Sequence, residues 1–206
     1  TLKKDKRQNL TSKYSGGAVV EIDIKSLEPR LYLALVKGIE VEDAYTYLLE
    51  NVLNYKQGEI DRKKIKLAFI SLLYGASINK IKSMTSLNIK DIKKIRQFLD
   101  VGTFEQKIIN DYNANGYFEN AYGRRITSIN APINYYIQST AADYACIIYE
   151  SLLSKLSNTG IDLIATIHDA IILDCQKDKI DEVMSVNSFN EEILNITSYF
   201  NVVRHS

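Results

Sequence analysis

A chain of 206 residues is long enough for one domain with a substantial core, or for a core carrying an inserted subdomain, and too short for more. With 46% apolar and 25% charged residues it has an ordinary globular balance, which excludes an intrinsically disordered polymer. The formal charge of +1 does not by itself mark a polyanion binder.

The distribution of charge says more. Residues 61–110 carry eleven Lys or Arg against four Asp or Glu, whereas 168–206 carry three against seven. A basic lobe beside an acidic end allows local contact with a polyanion at a near-neutral total. Cys146 and Cys175 form no CxxC or ligand cluster and read as buried thiols of a reducing compartment. No apolar run reaches membrane-spanning length and no signal-peptide pattern opens the chain, so the expectation is a soluble, cytoplasmic protein with no membrane partner.

In chain order, the basic opening TLKKDKRQNLTSKYSGG reads as a flexible arm or entry segment. AVVEIDI at 18–24 predicts a strand with Asp23 near its carboxyl end. Pro29 turns the following EPRLYLALVKG into a helix, and 41–54 predicts another. DRKKIKLAFISLLYG at 61–75 predicts a helix with Asp61 as N-cap and Gly75 at its end. Arg62, Lys66, Ile70 and Tyr74, four residues apart, share one side of it. Further helix runs from Asn88 to Tyr112, broken around Val101 and Gly102. GYFENAYGRRITSI reads as a hairpin, leading through Pro132 into a long helix. Residues 161–174 predict two short strands turning at His168 and Asp169, 178–194 a helix, and SYFNVV a final strand. The alternation points to an α/β or α+β core with an inserted, positively charged helical lobe at 55–115.

Asp23 and Asp169 end two predicted buried strands. Brought together, two carboxylates suit a hard ion such as Mg²⁺, and a two-ion arrangement activates a hydroxyl and stabilises a departing pyrophosphate. A turn or capping role is the commoner one for either Asp alone. Arg62 and Lys66 offer charge for a triphosphate, Tyr74 offers a ring for a base pocket, and Gly75 permits close backbone approach. The chain has neither GxxxxGK[ST] nor GxGxxG. Arg124 and Arg125 suit phosphates, and Asn134 and Gln138, one helical turn apart, suit base edges or sugars.

Together these residues resemble the palm and fingers of the family A DNA polymerases. DIKSLEPR at 23–30 is similar to their first motif. The resemblance implies that Asp23 is a catalytic metal ligand, that Glu28 guards the nucleotide sugar position and that Arg30 supports the site. RKKIKLAFISLLYG resembles the fingers helix, implying triphosphate contacts from Arg62 and Lys66 and nucleotide contacts from Ile70 and Tyr74. Where the family reads Asn-Phe-Gly this chain has Phe69-Ile70-Ser71, so the ring expected at 70 is absent. By the same resemblance Arg124, Arg125, Asn134 and Gln138 contact primer-template. In IHDAI, Asp169 is the second metal ligand, with His168 near the primer terminus; Ala170 stands where the family carries Glu.

The fold implied is α+β: a palm with an antiparallel sheet and an inserted helical fingers subdomain. Residues 1–54 are read as N-terminal arm and first palm segment, 55–115 as fingers and 116–206 as second palm segment. The activity implied is template-directed transfer of nucleoside monophosphates from nucleoside triphosphates to a 3′-hydroxyl, with Mg²⁺, or Mn²⁺ in its place. The implied partners are a DNA template with a primer or initiating nucleotide. A looser resemblance to small family A-like proteins of mobile elements, including a staphylococcal cassette-encoded group, adds primase activity and a small accessory protein. The alternative of a different class is a noncatalytic nucleic-acid-binding or replisome scaffold.

Overall fold

The computed structural model describes residues 4–7, 9–56, 58–156 and 159–205. They form two compact units, one of residues 1–27 with 141–206 and one of residues 28–140.

The first unit is built on an antiparallel sheet. Its strands are β1 (Ala18–Ile24), β4 (Ile161–Ile167), β5 (Ala170–Cys175), β6 (Ser188–Glu191) and β7 (Ile196–Arg204), in the order β4-β5-β1-β7-β6. The Val and Ile of β1 favour the pleated conformation, and pairing to β5 on one side and β7 on the other buries the strand. Every β1 residue except Asp23 is buried, and all six of β5 are. The centre of the sheet is thus buried, with Glu21 and Asp174 as its charged members, and β1 opens to solvent only at Asp23.

The predicted arm is held rather than loose. A short helix, α1, spans Lys4–Arg7, and Arg7 reaches the buried Glu21 at 2.5 Å. The hydroxyl of Ser12 donates to Asp174 at 2.5 Å, and Tyr14 donates to Asp162. Positions 1–3 and 8 of that predicted arm lie outside the described residues. Gly17 is fixed by this packing, because a β-carbon there would overlap the Ser12 hydroxyl and the carbonyl oxygen of Cys175. The carbonyl belongs to a buried strand and cannot yield, so Gly17→Ala is expected to lower stability by about 1–3 kcal/mol. Urea unfolding checks this as a lower midpoint at unchanged slope.

The second unit carries the helices α2 (Leu27–Lys37, entered from the first unit), α3 (Ala44–Tyr47, continuing through a π-helical turn at Leu48–Val52), α4 (Arg62–Leu73), α5 (Ile78–Thr85), α6 (Ile89–Leu99) and α7 (Val101–Asn115). It also holds the hairpin β2–β3 (Phe118–Glu119 and Arg125–Ile126) and the start of α8 (Pro132–Lys155). One apolar core joins Tyr32, Tyr45 and Leu48 to Phe69, Ile92, Phe118 and Ile137. Segments 28–54 and 116–140 therefore pack with the lobe expected at 55–115.

Three local expectations change. The break between the helices of 88–112 falls at Asp100, whose φ of 52° ends α6, while Val101 and Gly102 already belong to α7. The predicted tail helix is confined to α9 (Ile180–Met184); it stops at Ser185, and Ser188–Glu191 pairs with β7 through a turn in which Asn195 takes φ 52°. Cys146 is exposed, whereas Cys175 is buried and its thiol is pushed up to about 11 by that burial, with Asp174 adding to the effect. Among the described residues no helix is long and apolar enough to cross a membrane.

Candidate active site

In the sheet unit, β4 and β5 join through a two-residue turn, His168 and Asp169, closed by the pair Ile167 and Ala170. His168 adopts φ 54°, a left-handed conformation that costs a residue with a β-carbon about 1–2 kcal/mol. Ala170 lies opposite Asp23 across the β1–β5 ladder, and the amide of Ile24 donates to the carbonyl oxygen of Asp169 at 2.9 Å. The two carboxylate residues, 146 positions apart in sequence, are thereby backbone neighbours. Both carboxylates are partly exposed, and the hydroxyl of the buried Tyr149 lies 2.6 Å from the carbonyl oxygen of Asp169 and 3.1 Å from that of Ile22, the residue before Asp23. Burial first, then those two charges, holds the Tyr149 phenol above its ordinary range, so it stays a donor at neutral pH. Asn201 on β7, opposite Asp23 in the ladder, donates weakly to it at 3.4 Å.

The donor chemistry fits a hard divalent ion. Two carboxylates at neighbouring backbone positions supply anionic oxygen, and among the described residues no third acidic, His or Cys side chain completes a cage. Such a site leaves positions for water and for phosphate oxygens of a substrate, which is how Mg²⁺ is commonly bound. Ala170 is 1% exposed and adds no carboxylate.

In the helical unit, α4 follows its N-cap Asp61, whose side chain accepts from the amide of Lys63 at 2.9 Å. The buried side of α4 is Ile65, Ala68, Phe69, Leu72 and Leu73; Arg62, Lys66 and Tyr74 are exposed and Ile70 half-buried. Arg62 is oriented by Asp43 at 2.6 Å and stacks over the Tyr45 ring at 4.7 Å, with the Lys66 ammonium 5.9 Å from the same ring. Burial raises the Asp43 carboxyl, but hydrogen bonds from Arg62 and from the amides of Tyr45 and Thr46 outweigh it and hold the group below the usual carboxylate range. At the far end of α4, Tyr74 donates to Glu28 and is within hydrogen-bonding reach of Gln138. Burial and the Glu28 carboxylate keep that phenol protonated well above its ordinary range.

The hairpin presents Arg124 and Arg125 as an exposed pair. Arg125 contacts Glu119 at 3.4 Å and stacks over Tyr117 at 4.6 Å, while Asn120 shapes the turn by accepting from the amides of Tyr122 and Arg124. On α8, Oδ1 of Asn134 is buried without a hydrogen-bond partner among the described residues, and Gln138 is exposed. His168 is exposed at its turn. A separate open cleft of about 1100 Å³, lined by Gly75, Asn79, Lys93, Arg96 and Gln97 among others, lies between α4, α5, α6 and α7 and does not include Arg62 or Lys66.

Thus the predicted residues fall into groups: Asp23 and Asp169 with His168; Arg62 and Lys66 about one aromatic ring; Glu28, Tyr74 and Gln138 in contact. Three further residues, which pattern reading did not supply, join these separate groups. Asp43 had a sequence signal, an acidic residue just before a helix, but its bridge to Arg62 had none. Asn201 and Tyr149 carried no signal, since strand polarity and an apolar helical stripe read the same whatever they touch.

Residues 20–202 match the description DNA polymerase family A. DNA polymerase I of Aquifex aeolicus is 25% identical over 198 residues, covering 83% of this chain and 34% of that protein. The thermostable DNA polymerase I of Thermus thermophilus is 22% identical over 202 residues, covering 84% of this chain and 24% of that one. The chain thus spans about a quarter to a third of the length of these relatives. Among solved structures, the POL domain of Pol1 from M. smegmatis, in complex with DNA primer-template and dNTP, shares the fold with a TM-score of 0.67 at 16% identity, over 93% of this chain and 40% of that one. The chain belongs to DNA polymerase family A.

Proposed function

We propose that the protein is a DNA-directed DNA polymerase that transfers a nucleoside monophosphate from a deoxynucleoside triphosphate to a primer 3′-hydroxyl on a DNA template. The observation that carries this reading is the backbone coupling of Asp23 and Asp169 across β1 and β5, by the Ile24 amide at 2.9 Å, which gives an antiparallel sheet two partly exposed carboxylates at one place. The 3′-oxygen forms a bond to the α-phosphorus as the bond to the β-phosphate breaks; pyrophosphate leaves and the hydroxyl proton passes to solvent. Asp23 and Asp169 are the residues that would hold Mg²⁺, which when bound supplies charge stabilisation to the attacking and leaving oxygens.

The chain's own groups do the positioning. Lys66 and Arg62 bind the triphosphate, Arg62 already oriented by Asp43 and Tyr45. Glu28, fixed by the Tyr74 hydroxyl, faces the sugar, and Ile70 gives an aliphatic surface to the nucleotide. Arg124, Arg125, Asn134, Gln138 and His168 contact primer-template; all but Asn134 are exposed. Initiation without a primer is the finer part of the proposal, motivated by the aliphatic Ile70 on the exposed ridge.

Lys66→Ala removes one charged hydrogen bond to the substrate, worth about 1.5–3 kcal/mol. The KM for dNTP is therefore expected to rise roughly 10–100-fold, measured by steady-state incorporation on a fixed primer-template. Labelled dNTPs or NTPs offered with primed and unprimed templates and Mg²⁺ test the function itself. Extension of the primer supports polymerisation, and product on the unprimed template supports priming. Template binding without incorporation of either substrate, even with Mn²⁺, leaves the scaffold reading instead.

A further inference from the structure

Helix α8 places one phenol behind the carboxylate pair. Tyr149 is 5% exposed, and its hydroxyl lies 2.6 Å from the carbonyl oxygen of Asp169 and 3.1 Å from that of Ile22. A single hydroxyl proton serves one acceptor well, and the shorter distance assigns it to Asp169. That same oxygen accepts the Ile24 amide, so the Asp169 carbonyl is gripped from β1, beside Asp23, and from α8. The other acceptor, Ile22, directly precedes Asp23.

A buried hydroxyl is tolerated only with partners, and phenylalanine would fill the same space without needing any. Here both partners are main-chain oxygens of the two segments that carry the carboxylates, and one of those segments is a turn with left-handed backbone at His168. Without a tether, such a turn relaxes by peptide rotation, which moves the Asp169 side chain relative to β1. Tyr144, five residues earlier on α8, is also buried. Its hydroxyl donates to the Ile196 carbonyl at 2.9 Å and accepts from Ser198 at 2.9 Å, on β7 and not on the carboxylate turn.

We propose that Tyr149 is a positioning residue of the nucleotidyl-transfer site: by tying the Asp169 carbonyl to α8 beside the Ile22–Asp23 backbone, its hydroxyl holds the two carboxylates in the separation that binds divalent metal. This rests on the reading of Asp23 and Asp169 as metal ligands. Residues that orient metal ligands commonly change metal affinity 10–100-fold when altered.

The test compares wild type with Tyr149→Phe, Tyr144→Phe, Asp23→Asn and Asp169→Asn. Mn²⁺ binding is followed by electron paramagnetic resonance without DNA or nucleotide, and amide exchange at Ile24 without metal. Tyr149→Phe is expected to weaken Mn²⁺ binding about tenfold. It should speed exchange of the Ile24 amide about tenfold over the rest of β1, and raise the Mg²⁺ needed for half-maximal incorporation in proportion. Tyr144→Phe, which also loses a buried hydroxyl, should leave Mn²⁺ binding and Ile24 exchange as in wild type. Unchanged Mn²⁺ binding in Tyr149→Phe, or equal weakening in Tyr144→Phe, overturns the positioning role while leaving the metal site standing. Mn²⁺ binding that survives both Asp23→Asn and Asp169→Asn overturns the metal reading and the proposal with it.

Discussion

Asp23→Asn and Asp169→Asn are each expected to lower nucleotide incorporation by about 10³-fold or more, a loss of roughly 4 kcal/mol of transition-state stabilisation. The substitutions keep side-chain shape and remove only charge. Asp23 is the one half-open residue of an otherwise buried strand, and Asp169 sits at a solvent-facing turn, so neither supports the core. Two neighbouring carboxylates repel each other when no cation lies between them. The variants should therefore unfold at the same or a higher denaturant concentration than wild type and still bind primer-template. Chemical unfolding and a filter-binding measurement separate this outcome from a folding defect.

Phe69→Ala should have the largest effect on stability, about 3–5 kcal/mol. Its ring is fully buried and meets Tyr32 and Tyr45 edge to face at 6.4 and 6.2 Å between centroids. Such a loss is a large fraction of the 5–15 kcal/mol by which a typical domain is stable. Ile70→Ala, one residue on and half-buried, should leave the fold intact and act on the KM for nucleotide. The contrast separates a core side chain from its neighbour, which the sequence places on the nucleotide-facing side of the helix. Phe69 belongs to the core of α4, and Ile70 lies on the ridge with Arg62, Lys66 and Tyr74. Thermal unfolding of the two variants beside their nucleotide titrations decides it.

That pair shows where reading a sequence succeeds and where it stops. The strand AVVEIDI and the turn at His168–Asp169 were legible because β-branched runs and a polar break are local signals. The N-cap at Asp61 and the end of α4 near Gly75 were legible for the same reason. The break at Asp100 was misplaced by one to two residues because glycine is the usual helix breaker. Here Asp100 takes the left-handed conformation and Gly102 is absorbed into the next helix. Helix α5 is only eight residues long and went unseen within a mixed segment. The tail was read as one helix because DKIDEVM has helical periodicity, while β6 is fixed by pairing with a strand that comes later. Arg62 was named for a triphosphate, yet its anchoring by Asp43 and Tyr45 is a contact between helices that no spacing reveals. Tyr149 lies furthest from sequence reach: on an apolar helical stripe it looks like packing, and only the fold shows its hydroxyl on the Asp169 carbonyl.

The central claim is that Asp23 and Asp169 together make a nucleotidyl-transfer site. Single-turnover addition of one templated dNTP to a labelled primer, with Mg²⁺, by wild type and by Asp169→Asn, tests it most directly. The account predicts a primer one nucleotide longer with release of one pyrophosphate in wild type, and no product from Asp169→Asn at equal template occupancy. Equal extension by both proteins, or none by wild type with either Mg²⁺ or Mn²⁺ while the template is bound, would contradict it.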